Sequence, residues 1–364
     1  MMRDKRWSRD HIAEITKYAL SFAAVMLIGA VLIGIQGENP VTAIAAIFQG
    51  SLGSGKAIGN SIRWSIPCVL SGISAAVAFK SGVNNLGIEG QMYCGALCAA
   101  MVGYMIHLPA GIHVAVSILA GAVAGLLYAL IPALMRMFLK INEMVVTLMM
   151  NYIAVLATEY ITIRLISLSA VANPLSVETP VIDESAALPV LLAGTKANAG
   201  IFIAVLTVVV IAWVYKYTIK GYELKQVGEN PHFSKIGGIN VKKTFASIFL
   251  ISGFIGGMCG AVEVTGAYKK FTASFAGTLG WDGIMIARIA KNKPFAVLVV
   301  SFLWGILKAG SLQMERVTNI NRLTVTLIQA IFVLFITVDY EKVFELFSSR
   351  KKKRVAVEGG KAHV

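Results

Sequence analysis

The chain has 364 residues, 57% hydrophobic and 14% charged, with net charge +14 and mean hydropathy +0.73. A soluble domain carries about 25% charged residues, so a soluble globular protein is excluded and an all-α integral membrane protein is expected. Most Lys and Arg fall in short polar segments between long apolar runs. That placement orients basic loops toward anionic lipid on the cytoplasmic side and argues against nucleic-acid binding.

In chain order the apolar runs predict about ten transmembrane helices. Residues 1–14 form a basic cytoplasmic tail. A first, uncleaved span follows over Ile15–Ile35, with no small-residue cleavage site after it. The outer segment Gln36–Gly59 holds a weakly amphipathic piece at Val41–Phe48. The second span, Ile62–Phe79, is expected to break at Pro67. A Gly/Asn-rich interruption, Ser81–Gly87, precedes the third, Ile88–Ile106, and Pro109 turns the chain into the fourth, Ile112–Leu134. Arg136–Glu143 is an inner loop before the fifth, Met144–Ile163. After the outer segment Arg164–Asn198, the sixth (Ile201–Tyr217) and seventh (Phe245–Thr265) flank a polar loop, residues 220–243. A short eighth over Gly277–Ile289, a ninth from Pro294 to Leu312 and a tenth over Leu323–Val338 complete a membrane domain of residues 15–342. The basic tail, residues 343–364, is expected to be disordered and cytoplasmic. An even count places both termini inside, and five spans on each side of Arg164–Asn198 suit an inverted five-helix repeat.

The loop 220–243 carries Lys220, Lys225, Lys235, Lys242 and Lys243, which assigns it to the cytoplasm. Tyr222–Val227 suits a short helix, Gly228-Glu229-Asn230-Pro231 a turn, and His232–Ile236 a second helical turn ending at Gly237-Gly238. An ordered helix there gives a soluble partner a place to push.

Several motifs bear on chemistry. Gly50–Lys56 has P-loop spacing, but Ala57 replaces the magnesium-binding hydroxyl and no strand leads in. It reads as a flexible outer loop, so ATP hydrolysis belongs to another subunit. The stretch Asn84-Asn85-Leu-Gly-Ile-Glu89-Gly-Gln91 suits an unwound segment lining a cavity, tolerated at membrane depth only inside protein. Glu89 is either a pathway residue or a charge at a helix start. Asn142 and Glu143 open the fifth span, and Glu143, Thr147 and Asn151 share one helix face. That stripe either lines a path or bonds a neighbouring helix, and path-lining is preferred because amides and hydroxyls suit a polar, uncharged solute. Gly121-x-x-x-Gly125, Gly253-x-x-x-Gly257 and Gly256-x-x-x-Gly260 predict close helix packing inside the chain. The four cysteines and five histidines form no metal or catalytic pattern, so neither an enzyme nor a metal site is expected.

These residues resemble a known family. Asn85–Met92, Asn142–Tyr152, Val227–Pro231 with Gly238–Val241, and Gly280–Met285 with Lys291–Pro294 are similar to permease subunits of bacterial ABC importers for nucleosides, within the ribose-type and branched-chain amino-acid permease group. The likeness runs from about Ile58 to Asp339. It departs at Asp282 and Met285, where small or aliphatic residues are common, and at Lys291-Asn-Lys, which replaces an arginine-containing turn. The resemblance implies a ten-helix permease in the bacterial plasma membrane, paired with a second, related permease. The pair would sit on a cytoplasmic ABC ATPase that binds ATP-Mg and would receive solute from an extracellular binding lipoprotein. The family's coupling segment maps onto Gln226–Gly237; the expected coupling set is Gln226, Asn230, Ser234 and Gly237, with Gly228 and Pro231 fixing the turn and Lys225, Glu229 and Lys235 as docking contacts. The expected solute path comprises Asn84, Asn85, Glu89, Gln91, Asn142, Glu143, Thr147 and Asn151. A ribose-type sugar permease is the alternative. An ion-coupled secondary transporter is disfavoured because the sequence suggests no buried relay of basic and acidic residues.

Overall fold

The computed structural model describes residues 27–166 and 177–337. Within them the chain is helical, with two isolated bridges, Glu178 to Thr272 and Val190 to Asn198. The helices are α1 (Leu27–Ile35), α2 (Pro40–Leu52), α3 (Gly55–Lys80), α4 (Ile88–Met105), α5 (Ile112–Leu139) and α6 (Glu143–Ile161). Beyond the 177–198 segment come α7 (Gly200–Tyr217), α8 (Ile219–Glu229), α9 (Pro231–Ile236), α10 (Val241–Glu263), α11 (Leu279–Ile289), α12 (Pro294–Val317) and α13 (Leu323–Thr337). Among the described residues six helices are long and apolar enough to cross a membrane, or up to seven if one broken pair counts as a single span. The expected start of the first span and both tails lie outside the described residues.

Residues Ile33–Val325 form one compact unit. Its centre is made of α3, α4 and α10, whose side chains are buried on nearly all sides. Around them α5, α6, α7 and α12 turn one apolar face outward, through residues such as Leu127, Tyr152, Phe202 and Val299. Lipid solvates such faces as well as protein does, so helix association must come from close contact rather than from hydrophobic burial. The glycine pairs supply it within one chain, as expected. A Cβ on Gly125 would lie 2.5 Å from the Gly253 carbonyl oxygen, so α5 and α10 touch backbone to backbone. The second unit holds the start of α1 and residues 326–337 of α13, and within it Gly29 rests against the Ile328 side chain.

Several expectations need correction. The Gly50–Lys56 stretch is no flexible loop: α2 runs to Leu52, and Ser54 caps α3 by accepting the Ala57 N–H at 3.1 Å. The weakly amphipathic piece is the helix α2. Pro67 does not break α3, which continues to Lys80 packed by neighbouring helices on nearly every side. The fourth span extends to Leu139 and takes in Arg136. The eighth is short, as expected: it spans eleven residues, about 16 Å at 1.5 Å per residue, a half-span. Finally, α8 continues through Gly228 to Glu229, which puts the turn at Asn230 alone.

Candidate functional site

One end of the unit gathers Lys80, Arg136, the 218–240 loop, Arg288 and Lys293, and is called here the basic end. Close to it lies the break between α3 and α4. After Lys80 the chain turns through Gly82, at φ +74°, and stays non-helical to Gly87. Broken backbone at this depth needs internal partners, and side chains supply them. Asn85 Oδ1 accepts the Gly87 N–H at 2.9 Å, while its Nδ2 donates to Ser252 Oγ at 2.8 Å and to Gln91 Oε1 at 3.2 Å. Thr147 Oγ1 accepts the Leu86 N–H at 3.2 Å. Asn151 holds both sides of the break: its Nδ2 donates to the Leu86 carbonyl and its Oδ1 accepts the Gly90 N–H, each at 2.8 Å.

The α6 stripe therefore turns its polar atoms onto the 86–90 backbone. Asn142 caps α6 by accepting the Met144 N–H, and Glu143 pairs with Arg136 at 3.3 Å. Asn84 accepts from Arg288 at 3.3 Å. Glu89 sits in the first turn of α4, where the helix dipole favours an acid, and its Cβ crowds Gly280 at the start of α11. Its Oε2 is buried without a hydrogen bond.

The 218–240 loop is seated directly beneath this break. Thr218 caps α8 and Asn230 caps α9, whose first residue is Pro231. Ser234 is buried and donates to the Asn230 carbonyl at 2.8 Å, and Gly237 ends α9. Leu224 and Val227 face inward, Leu224 packing in a cluster with Ala78, Val83 and Phe249. Gly228 touches the end of α3: a Cβ there would lie 2.5 Å from the Lys80 carbonyl oxygen and 2.7 Å from Ser81 Cα. Lys225 and Glu229 face each other at 3.8 Å and are both exposed. Lys235 is exposed beside a groove of about 580 Å³, lined by Pro231, His232 and Gly238–Lys242. Two residues that the sequence did not single out dominate this surface: Phe233 is 63% exposed and Ile236 85%.

A second constellation also escaped the sequence reading. Arg63 on α3 donates to Glu263 at the end of α10 at 2.7 Å, and Lys308 on α12 pairs with Asp282 on α11 at 2.6 Å. Trp304 Nε1 and Thr278 Oγ1 also donate to Asp282. The sequence suggested no buried basic–acidic relay; the structure holds two buried basic–acidic pairs. The partners lie 200 and 26 residues apart, so no local spacing could have revealed them. Above this cluster the 177–198 segment crosses the end of α10, Leu188 N–H donating to the Thr265 carbonyl. Lys269, half-buried there with its ammonium on the Thr265 carbonyl, is held below the ordinary lysine pKa by burial.

A bundle of lipid-facing helices around broken segments, with a structured polar loop packed under one break, is the architecture of a membrane permease. The chain belongs to the family described as branched-chain amino acid transport system / permease component, whose model matches residues 57–336. It is a multi-pass membrane protein and a transport component rather than an enzyme. It is 34% identical to the guanosine ABC transporter permease protein NupP of Bacillus subtilis, over 89% of this chain and 93% of that protein. Identity is 26% with the nucleoside ABC transporter permease protein NupB of Lactococcus lactis, over 92% and 93%. It is 27% with the glucose ABC transporter permease protein TsgB13 of Haloferax volcanii, over 87% and 85%. No solved structure matches.

Proposed function

We propose that this chain is the membrane subunit of an ATP-driven nucleoside importer in the bacterial plasma membrane. It crosses the bilayer ten times with both termini cytoplasmic. It pairs with a second, homologous permease and sits on an ABC ATPase that binds ATP-Mg, the chain itself carrying no cofactor. An extracellular lipoprotein delivers the solute. The names of NupP and NupB support the substrate class, and the basic end supports the orientation.

The observation that carries the mechanism is the seat of Gly228 on Lys80 and Ser81, the last residues of α3 before the break. A force applied to α8 and α9 is transmitted through rigid backbone contact, because the atoms that meet there are main-chain atoms of Gly228, Lys80 and Ser81. The segment it moves, Asn84 to Gln91, is held to α6 by Thr147 and Asn151 and to α10 by Asn85. Asn142 and Glu143 anchor the near end of α6. This set forms the moving wall of the solute path. Phe233 and Ile236 supply the apolar grip on the ATPase, with Gln226, Lys225, Glu229 and Lys235 around them.

In reconstituted complexes, Glu229→Ala combined with Gly228→Pro is expected to lower solute-stimulated ATP hydrolysis and uptake together while the subunits still assemble. Unchanged coupling would end the docking assignment. The glucose permease relative sustains one alternative. A panel of labelled nucleosides, ribose and glucose competing for uptake separates the two. The buried ion pairs reopen the ion-coupled alternative, which predicts uptake by the purified chain under an ion gradient without ATP.

A further inference from the structure

We infer that Trp64 and the two ion pairs flanking it form a solute-selecting site for a neutral, planar heteroaromatic ring with hydrogen-bonding groups on its edge. The inference rests on the nucleoside reading above and assigns the base, rather than the ribose, to these residues.

The cluster lies inside the membrane domain. Arg63 is the ninth residue of α3, roughly 12 Å from the helix start at 1.5 Å per residue. Two neighbouring helices are interrupted where they meet it. Past Glu263, α10 loosens into a π-turn over Val264–Tyr268, and α11 starts only at Leu279. Interrupted helices and π-turns inside a span recur at functional sites, because they free backbone and side-chain groups toward a cavity.

Charges at such a position are costly and mark function by default. Here Glu263 and Asp282 are 2% and 0% exposed, and each is paired with a cation, Arg63 and Lys308, so both carboxylates are already compensated. An anionic or cationic solute would have to break a pair; a neutral one need not. Trp64 lies between the pairs, with the Arg63 guanidinium 4.1 Å and Lys308 Nζ 5.6 Å from its ring. A ring that polarised attracts a flat, electron-rich partner at its remaining surface. Trp64 and Lys308 remain partly accessible, and Thr278 beside Asp282 is exposed. Arg63, itself 6% exposed, keeps its Nη1 without a hydrogen bond.

A purely structural role, stapling α3 to α10 and α11 to α12, accounts for the ion pairs but not for an accessible tryptophan between them. The test uses the full importer in proteoliposomes with its binding protein saturated by guanosine, so that affinity of that protein drops out. Trp64→Leu is expected to lower guanosine uptake at least tenfold, whereas Trp64→Phe keeps at least a third of it. Guanosine, but not ribose, should quench tryptophan fluorescence of the wild-type permease, and Trp64→Phe should remove most of that quench. Because Trp64→Leu also removes packing volume, the exchange of Asp282→Asn with Lys308→Gln gives a second arm, again with at least a tenfold loss. Guanosine uptake within twofold of wild type in both Trp64→Leu and the double exchange overturns the inference. A wild-type importer that moves ribose or glucose and no nucleoside would instead refute the nucleoside reading itself.

Discussion

At Asn151 a single side chain satisfies two backbone groups of a broken helix, the Leu86 carbonyl and the Gly90 N–H. An unpaired buried group costs about 1–3 kcal/mol, so Asn151→Ala should destabilise the purified protein by roughly that amount for each group. A thermal melt in detergent reads this, and an unchanged midpoint would show that the break finds other partners. Gly228 poses the opposite problem, since it must carry nothing. Gly228→Val would push a side chain into the backbone of Lys80 and Ser81, and neither can yield. Uptake is expected to fall at least tenfold. At Gly237 a Cβ would sit an ordinary 3.5 Å from the Ser234 carbonyl oxygen, so Gly237→Ala should stay within twofold in the same assay.

Among the elements, α8 and α9 combine a buried and an exposed face in the stretch read from sequence as an ordered docking loop. Lys225 and Glu229 pair with each other in the open, and such exposed pairs contribute about 0–1 kcal/mol. Phe233 and Ile236, in contrast, hold apolar surface in water, at a cost that a partner's surface would relieve. Phe233→Ser with Ile236→Ser should abolish co-purification of the ATPase, while Lys225→Ala should change it less than twofold. The reverse pattern would place docking in the charges. Helix existence was legible from apolar run length, and α4, α6 and α7 begin within one residue of expectation. What local pattern misjudged depends on tertiary support: Pro67 inside an unbroken α3 and Gly228 inside α8. Packing against neighbouring helices decides these, around α3 on nearly every side and on α8 through the contact of Gly228 with Lys80 and Ser81, and no window of sequence contains it. The Arg63–Glu263 and Lys308–Asp282 pairs were illegible for the same reason.

For the molecule as a whole, the two ends differ in character. The basic end carries the loop and the break. The opposite end carries the 177–198 segment, with Asp183 paired to His107 and His113 bonded to Ser185. Between them runs the glycine-lined contact of α4, α5 and α10, rigid enough to pass a displacement along its length. The coupling mechanism requires the loop to face the compartment that holds ATP. Single cysteines at Lys235 and Lys196, in a chain whose four native cysteines are replaced by serine, report this directly with a membrane-impermeant maleimide. The account predicts labelling of Lys196→Cys from outside intact cells and of Lys235→Cys only in inverted vesicles. Labelling of Lys235→Cys from outside intact cells would contradict it.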